Sequence, residues 1–240
     1  MLKYYIEGCV AMYGSNTFQE FLDNYNVFDR LITNRYGSIT EMLKEEPYKR
    51  LSHEIRCIQN TRNALVHNSK LRNRFLLEIT PEALTFLNDI IHSLIMRAGD
   101  VMIRTRDVYR QSLDGSICEA MRVMREKSYT HVPIIKSGKV IGAFSENTLL
   151  SYILDRGAFT LNSNTQFQKI KEYLPFTNHY GETFRFIKQS ETAVNIKDMF
   201  EKATKKQDRI GMVFVTSNGE ESGNLLGIIT AWDIVQPTLI

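Results

Sequence analysis

The chain has 240 residues, 43% hydrophobic and 24% charged, enough apolar material for one large domain or two small ones with packed cores. A formal net charge of only +3 excludes global charge as a basis for nucleic-acid binding. Cys9, Cys57 and Cys118 are far apart and form no CxxC pair, which argues against a disulfide framework and against a zinc site.

The N-terminus shows no charged region followed by a long apolar core. The most apolar stretch, residues 83–96, is short and is interrupted by Asn88, Asp89 and His92. The expectation is therefore a cytoplasmic protein with no membrane partner and no metal. Residues 1–97 read as all-helical. Thr17 with Glu20 three residues on makes a capping box, predicting a helix to about Arg35 that buries Phe18, Phe21, Leu22, Tyr25, Phe28 and Ile32. Tyr36, Gly37 and Ser38 end it, and Ser38 opens a short helix that Pro47 interrupts. A long helix is predicted over residues 48–67, with a break at Asn68 and Ser69. Proline at a first helical position loses nothing by lacking its N–H, so Thr80-Pro81 starts a last helix running to about Met96.

After Ala98-Gly99, β-branched runs alternate with helical segments, the texture of βαβ units. Residues 108–110 read as a strand, 116–127 as a helix, His131–Lys136 and Lys139–Ser145 as strands joined by a tight Ser137-Gly138 turn, and 146–154 as a helix. The pattern recurs after a linker that carries one more helix near Phe167–Tyr173. In the recurrence, 184–188 is a strand, 192–205 a helix, 210–216 and 225–230 paired strands, and a last helix begins at Thr230 and is stopped by Pro237. The fold class is α+β.

The two repeats end alike, in Gly142-Ala143-Phe144-Ser145-Glu146-Asn147-Thr148-Leu149 and Gly227-Ile228-Ile229-Thr230-Ala231-Trp232-Asp233-Ile234. Each is a strand that breaks at a hydroxyl residue and starts a helix. Thr230 at a helix N-cap can accept from a free backbone N–H or turn its hydroxyl to a ligand. Asp233 lies in the first turn, near the positive end of the helix dipole, where free N–H groups favour phosphate and a carboxylate can accept from a ribose diol. The competing reading is a capped helix with no ligand.

These segments resemble the end of a CBS motif: glycine, two apolar residues, Ser or Thr, two residues, Asp, then an apolar residue. Asp100-Val101-Met102 resembles the entry to such a motif, and His131-Val132-Pro133-Ile134-Ile135 with Gly138-Lys139-Val140-Ile141-Gly142 its central strands. The resemblance covers roughly residues 98–236 and implies a tandem CBS pair over 98–240, with motif one at 98–156 and motif two at 178–240. It also implies a pseudo-twofold pair of clefts and an adenine nucleotide (AMP, ADP or ATP) as regulatory ligand. Carried over, Thr230 and Asp233 contact phosphate and ribose, with Trp232 beside them; Phe186 and Ile187 supply backbone for the base; and Arg209, His131 and Lys188 are phosphate contacts. Thr148 stands where motif one would have its aspartate, so one good site is expected rather than two.

Within residues 47–75 the bases Lys49, Arg50, Arg56, Arg62, Lys70, Arg72 and Arg74 face the single acid Glu54, and seven minus one leaves a local excess of +6. Such a run suits a polyanion or a solvated helix face. Leu51, Ile55, Ile58, Arg62 and Leu65 form one helical stripe, in which Arg62 takes an apolar position and so needs a partner. Arg62-Asn63-Ala64-Leu65-Val66-His67 resembles the Arg-x4–6-His motif of HEPN domains. That resemblance implies a helical bundle over residues 1–97 that forms a homodimer and cleaves RNA without metal. His67 would be general base or acid on the 2′-OH, Arg62 would stabilise phosphate charge, Asn63 would orient, and a 2′,3′-cyclic phosphate would be left. The alternative keeps the helical domain as a non-catalytic dimerisation or docking unit, with His67 favouring the helix dipole, Arg62 paired with Glu54 or Asp89, and His53 and Glu54 at the surface.

Overall fold

The structure is a computed structural model that describes residues 17–67, 79–158 and 160–234. Cys9, Asn68, Ser69, Lys70, Arg72, Arg74 and Pro237 lie outside the described residues. The chain divides into two compact units between Ile95 and Met96.

The first unit contains α1 (Thr17–Tyr36), α2 (Ile39–Met42), α3 (Ser52–His67) and α4 (Pro81–Ile95). Along α1 the fully buried residues are Phe21, Tyr25, Phe28 and Ile32, a four-three-four stripe facing the interior. Phe18 and Leu22, at the margins of that stripe, are half-buried. The helix stops where Gly37 turns to φ +78° and its N–H returns to the Thr33 carbonyl at 3.1 Å. Ser38 caps α2, its Oγ accepting from the Glu41 N–H at 3.2 Å.

The long basic helix begins four residues later than expected, at Ser52. The Arg50 N–H bonds to the Pro47 carbonyl and the Leu51 N–H to the Tyr48 carbonyl, both at 3.1 Å, a tighter winding than the α-helix. Helix α4 starts at Pro81, with Thr80 Oγ1 accepting from the Ala83 N–H at 3.3 Å, and a hydrogen bond of 2.8 Å from the Asn24 side-chain amide to Asn88 Oδ1 ties α1 to α4.

The second unit opens with α5 (Ala98–Val101) and β1 (Ile103–Arg104). The first repeat follows as α6 (Ile117–Lys127), β2 (His131–Lys136), β3 (Lys139–Ser145) and α7 (Glu146–Arg156). Two 3-10 helices, Phe167–Tyr173 and Phe176–Asn178, lead to the second repeat: β4 (Thr183–Lys188), α8 (Ala193–Lys205), β5 (Ile210–Thr216), β6 (Leu225–Ile229) and α9 (Ala231–Ile234). The helix expected near Phe167 is thus a 3-10 helix with a kink at Ile170.

The architecture is mixed α+β. One sheet has the order β1-β6-β5-β4, with β4 parallel to β5 and the other pairs antiparallel; β2 and β3 form a separate antiparallel hairpin. The repeats share local chemistry. Ser116 caps α6 by accepting from the Glu119 N–H, and Thr192 caps α8 by accepting from the Asn195 N–H. Gly142 and Gly227 hold equivalent places, and in each a side chain would meet a backbone carbonyl, of Leu174 and of Ile103 respectively.

The strand expected at residues 108–110 is not formed. The chain turns directly after β1, where the Asp107 N–H bonds to the Arg104 carbonyl at 2.8 Å, so Val108 sits in a turn. Pairing with the first repeat is confined to Gln111, whose N–H and carbonyl bond to Pro133 and Ile135. One buried cluster draws on both repeats, with Val140 and Ala143 from the first packed with Phe184 and Phe214 from the second.

Candidate functional site

A cavity of about 830 Å³ opens in the second unit, within the range of about 300–1,000 Å³ usual for small-molecule sites. Its walls come from five places in the sequence: the turn after β1 (Asp107, Val108, Tyr109), the approach to β2 (Lys127, Thr130, His131), α8 (Phe200, Thr204), the approach to β5 (Asp208, Arg209, Ile210), and the turn from β6 into α9 (Thr230 to Asp233). The lead-in of the first repeat therefore faces the hydroxyl turn of the second.

At that turn Thr230 donates twice to Asp233. Its backbone N–H and its hydroxyl each reach Oδ2 at 2.7 Å. The capped-helix geometry is thus present, and it uses one carboxylate oxygen. Among the described residues Oδ1 has no hydrogen bond. Both residues are half-buried, while Trp232 beside them is 84% exposed on the cavity wall. Arg209 is exposed, its carbonyl engaged by the Thr183 N–H at 2.7 Å. Lys127 and Arg209 supply positive charge. Of the acids, Asp208 is paired with Arg185 at 3.1 Å and Asp107 with Arg106 at 3.4 Å, which leaves Asp233.

Phe186, Ile187 and Lys188 do not reach this cavity. They lie on β4, at the edge of the sheet, and border a separate open hollow of about 410 Å³ with Asn218, Gly219 and Glu220. Phe186 instead packs on Phe176 and Phe214, with ring centroids 5.1 and 5.2 Å away. Val108 and Tyr109 occupy the wall expected from β4. The repeat itself was the missed signal: the lead-in that meets each hydroxyl turn comes from the other repeat.

His131 lines the cavity yet is buried, 6% exposed. Its Nδ1 lies 2.8 Å from Thr130 Oγ1 and its Nε2 3.1 Å from Glu182 Oε2. The sequence reading missed Glu182, which lies just ahead of β4 in a short polar run. Its carboxylate also accepts from Ser145 Oγ at 3.2 Å and from the Asn147 amide at 2.6 Å, and lies 3.6 Å from His179 Nδ1. Burial pushes the Glu182 pKa up, but hydrogen bonds from His131 and His179, the His131 charge and the Ser145 hydroxyl outweigh it. The carboxyl is held well below its usual range.

In the first unit Arg62 is half-buried, its guanidinium carbon 5.6 Å from the centroid of the Tyr25 ring, and Nη1 donates to Asn63 Oδ1 at 3.2 Å. Among the described residues it has no ion pair with Glu54 or Asp89. His67 is exposed, and α3 is unbroken to that residue. On a continuous helix the two side chains are about 140° apart, so one chain does not bring them together. His53 lies 3.7 Å from Cys57 Sγ. Among the described residues no group of three His, Cys, Asp or Glu side chains is placed to hold a metal ion, and no helix is long and apolar enough to cross a membrane.

A chain that repeats a hydroxyl-capped strand-to-helix turn around such a cavity invites comparison with known folds, and the CBS domain profile matches residues 98–155. The chain carries a CBS domain. Among curated proteins, the UPF0053 protein YrkA of Bacillus subtilis strain 168 is 26% identical over 161 residues, 66% of this chain. The chain spans about a third, 33%, of that relative's length. Similar solved structures include a conserved domain of unknown function from Neisseria meningitidis MC58 (16% identity, 77% of this chain and 99% of that one, TM-score 0.45). CBSX2 in complex with AMP is 18% identical, over 59% of this chain and 95% of that one, at a TM-score of 0.40. The CBS domain of a bacterial CNNM/CorC family Mg2+ transporter in complex with ATP is 14% identical, over 65% and 96%, at 0.43.

Proposed function

We propose that the second unit is a tandem CBS module that binds an adenine nucleotide (AMP, ADP or ATP) in the cavity beside Asp233 and regulates the helical unit accordingly. The observation that carries this is the crossing of the two repeats around one space, with Asp107 to Tyr109 on one wall and Thr230 to Asp233 on the other. In this reading the Asp233 Oδ1 accepts from the ribose hydroxyls, the Val108–Tyr109 backbone borders the base, and Lys127 and Arg209 meet phosphate. Trp232 offers an exposed ring at the rim for stacking. Calorimetry with AMP, ADP, ATP and cyclic dinucleotides tests the proposal. Saturable binding of an adenine nucleotide, weakened by loss of Asp233, is the expected result, and no binding by any of them defeats it.

For the helical unit we favour a non-catalytic dimerisation or partner-docking role over a HEPN-type ribonuclease. Arg62 is engaged by Tyr25 and Asn63, and the unbroken α3 directs His67 elsewhere. The ribonuclease reading needs a second copy to complete the site. Metal-free cleavage of single-stranded RNA that His67→Ala abolishes would restore it.

A further inference from the structure

If the lead-in of the first repeat meets the hydroxyl turn of the second around an open cavity, the lead-in of the second should meet the turn of the first around its counterpart. It does, and the counterpart is filled. Ser145 and Thr148 hold the places of Thr230 and Asp233, and the Ser145 N–H donates to Thr148 Oγ1 at 3.0 Å as the Thr230 N–H does to Asp233. Against that turn lies the Glu182 carboxylate, 5% exposed. One oxygen takes the Asn147 amide at 2.6 Å; the other takes His131 Nε2 at 3.1 Å and the Ser145 hydroxyl at 3.2 Å.

These donors suit an anion. His131 satisfies both neighbours with its Nε2 donating to Glu182 and its Nδ1 facing the Thr130 hydroxyl. On His179, Nε2 faces the Leu174 carbonyl at 3.2 Å and donates to it, while Nδ1 stands 3.6 Å from the carboxylate. Buried donors of this kind require an acceptor, and the chain supplies one from the residue just ahead of β4.

We propose that Glu182 is a ligand tethered to its own chain: its carboxylate occupies the second cleft, and its removal uncovers a buried site for a small carboxylate. Given the nucleotide reading above, this limits the unit to one nucleotide per chain. The occupant also bonds to the wall of the open cavity, because His131 belongs to both clefts.

The test is chemical rescue of Glu182→Ala with sodium formate, using sodium chloride at equal ionic strength as control. The variant should melt below the wild type, and saturating formate should raise its Tm by about 4 °C or more over chloride. Wild type and Glu182→Gln, whose cleft stays filled, should show no formate-specific rise. Equal effects of formate and chloride on Glu182→Ala would overturn the proposal, as would the same formate gain in the wild type. If the variant is insoluble, it is refolded with each salt: recovery only with formate supports the tethered ligand, and equal recovery or none refutes it. These readouts need no nucleotide, so a failure of nucleotide binding leaves them standing.

Discussion

Replacing Asp233 by alanine separates the two jobs its carboxylate holds in this geometry. The Thr230 N–H and hydroxyl both bond to Oδ2 at 2.7 Å, so truncation leaves the start of α9 uncapped. A lost cap costs about 1 kcal/mol, a fall in Tm of about 2–4 °C for a unit of this size. The binding loss is larger. A hydrogen bond to a charged acceptor is worth about 1.5–3 kcal/mol, so losing the ribose contact should weaken nucleotide affinity by about 10- to 150-fold. Calorimetry with ATP and AMP reads the second effect and thermal melting the first. Thr148→Ala, at the equivalent place in the filled cleft, reaches the open cavity only through Ser145, Glu182 and His131 and should cost less affinity than Asp233→Ala. A folded Asp233→Ala protein with wild-type affinity would refute the assignment of the carboxylate to the ligand.

Three further outcomes follow from other parts of the chain. Trp232 is the single tryptophan and is 84% exposed at the cavity rim, so saturating nucleotide should change its emission with the same midpoint as calorimetry; heat without an optical change would remove Trp232 from the site. Glu182 has a depressed pKa in the folded state, so its contribution to stability is complete above the ordinary value of 4.5 and is lost as pH falls below it. The Tm of the wild type should therefore drop more steeply below that pH than that of Glu182→Gln, and parallel acid limbs would contradict the network. His67→Ala should leave nucleotide affinity unchanged and add no loss of activity in a metal-free RNA cleavage assay; cleavage present in the wild type and absent in the variant would reverse the docking assignment.

Features set by local chemistry were readable from the sequence. The stripe of Phe21, Tyr25, Phe28 and Ile32 follows from helical period alone. The caps at Ser116 and Thr192 follow from hydroxyl residues placed before amphipathic runs. The Ser137-Gly138 turn, with both residues at positive φ, lies between two β-branched runs. Features set by pairing across the repeats were not readable. Residues 108–110 have strand composition, but the neighbours they would pair with are decided by how the repeats pack, and β1 forms instead at Ile103 and Arg104. The CBS resemblance assigns Phe186 and Ile187 to the base, but they lie on the edge strand β4, away from the cavity beside Thr230. Arg62 shows the same limit, since periodicity marks its position as inward but cannot choose the face of Tyr25 over an acid. Glu182 carries no motif at all; only its burial beside two histidines gives it meaning.

The convergence of two Thr230 donors on one oxygen has a consequence for sugar discrimination. A carboxylate gripped at Oδ2 by both groups is not free to spin about its Cβ–Cγ bond, so its second oxygen is aimed before any guest arrives. A rigid acceptor gives little credit to a guest that lacks a matching hydroxyl, because it neither relaxes toward water nor finds a substitute donor. In the proposed complex that favours ribonucleotides over their 2′-deoxy counterparts, and so lets such a cleft ignore DNA precursors.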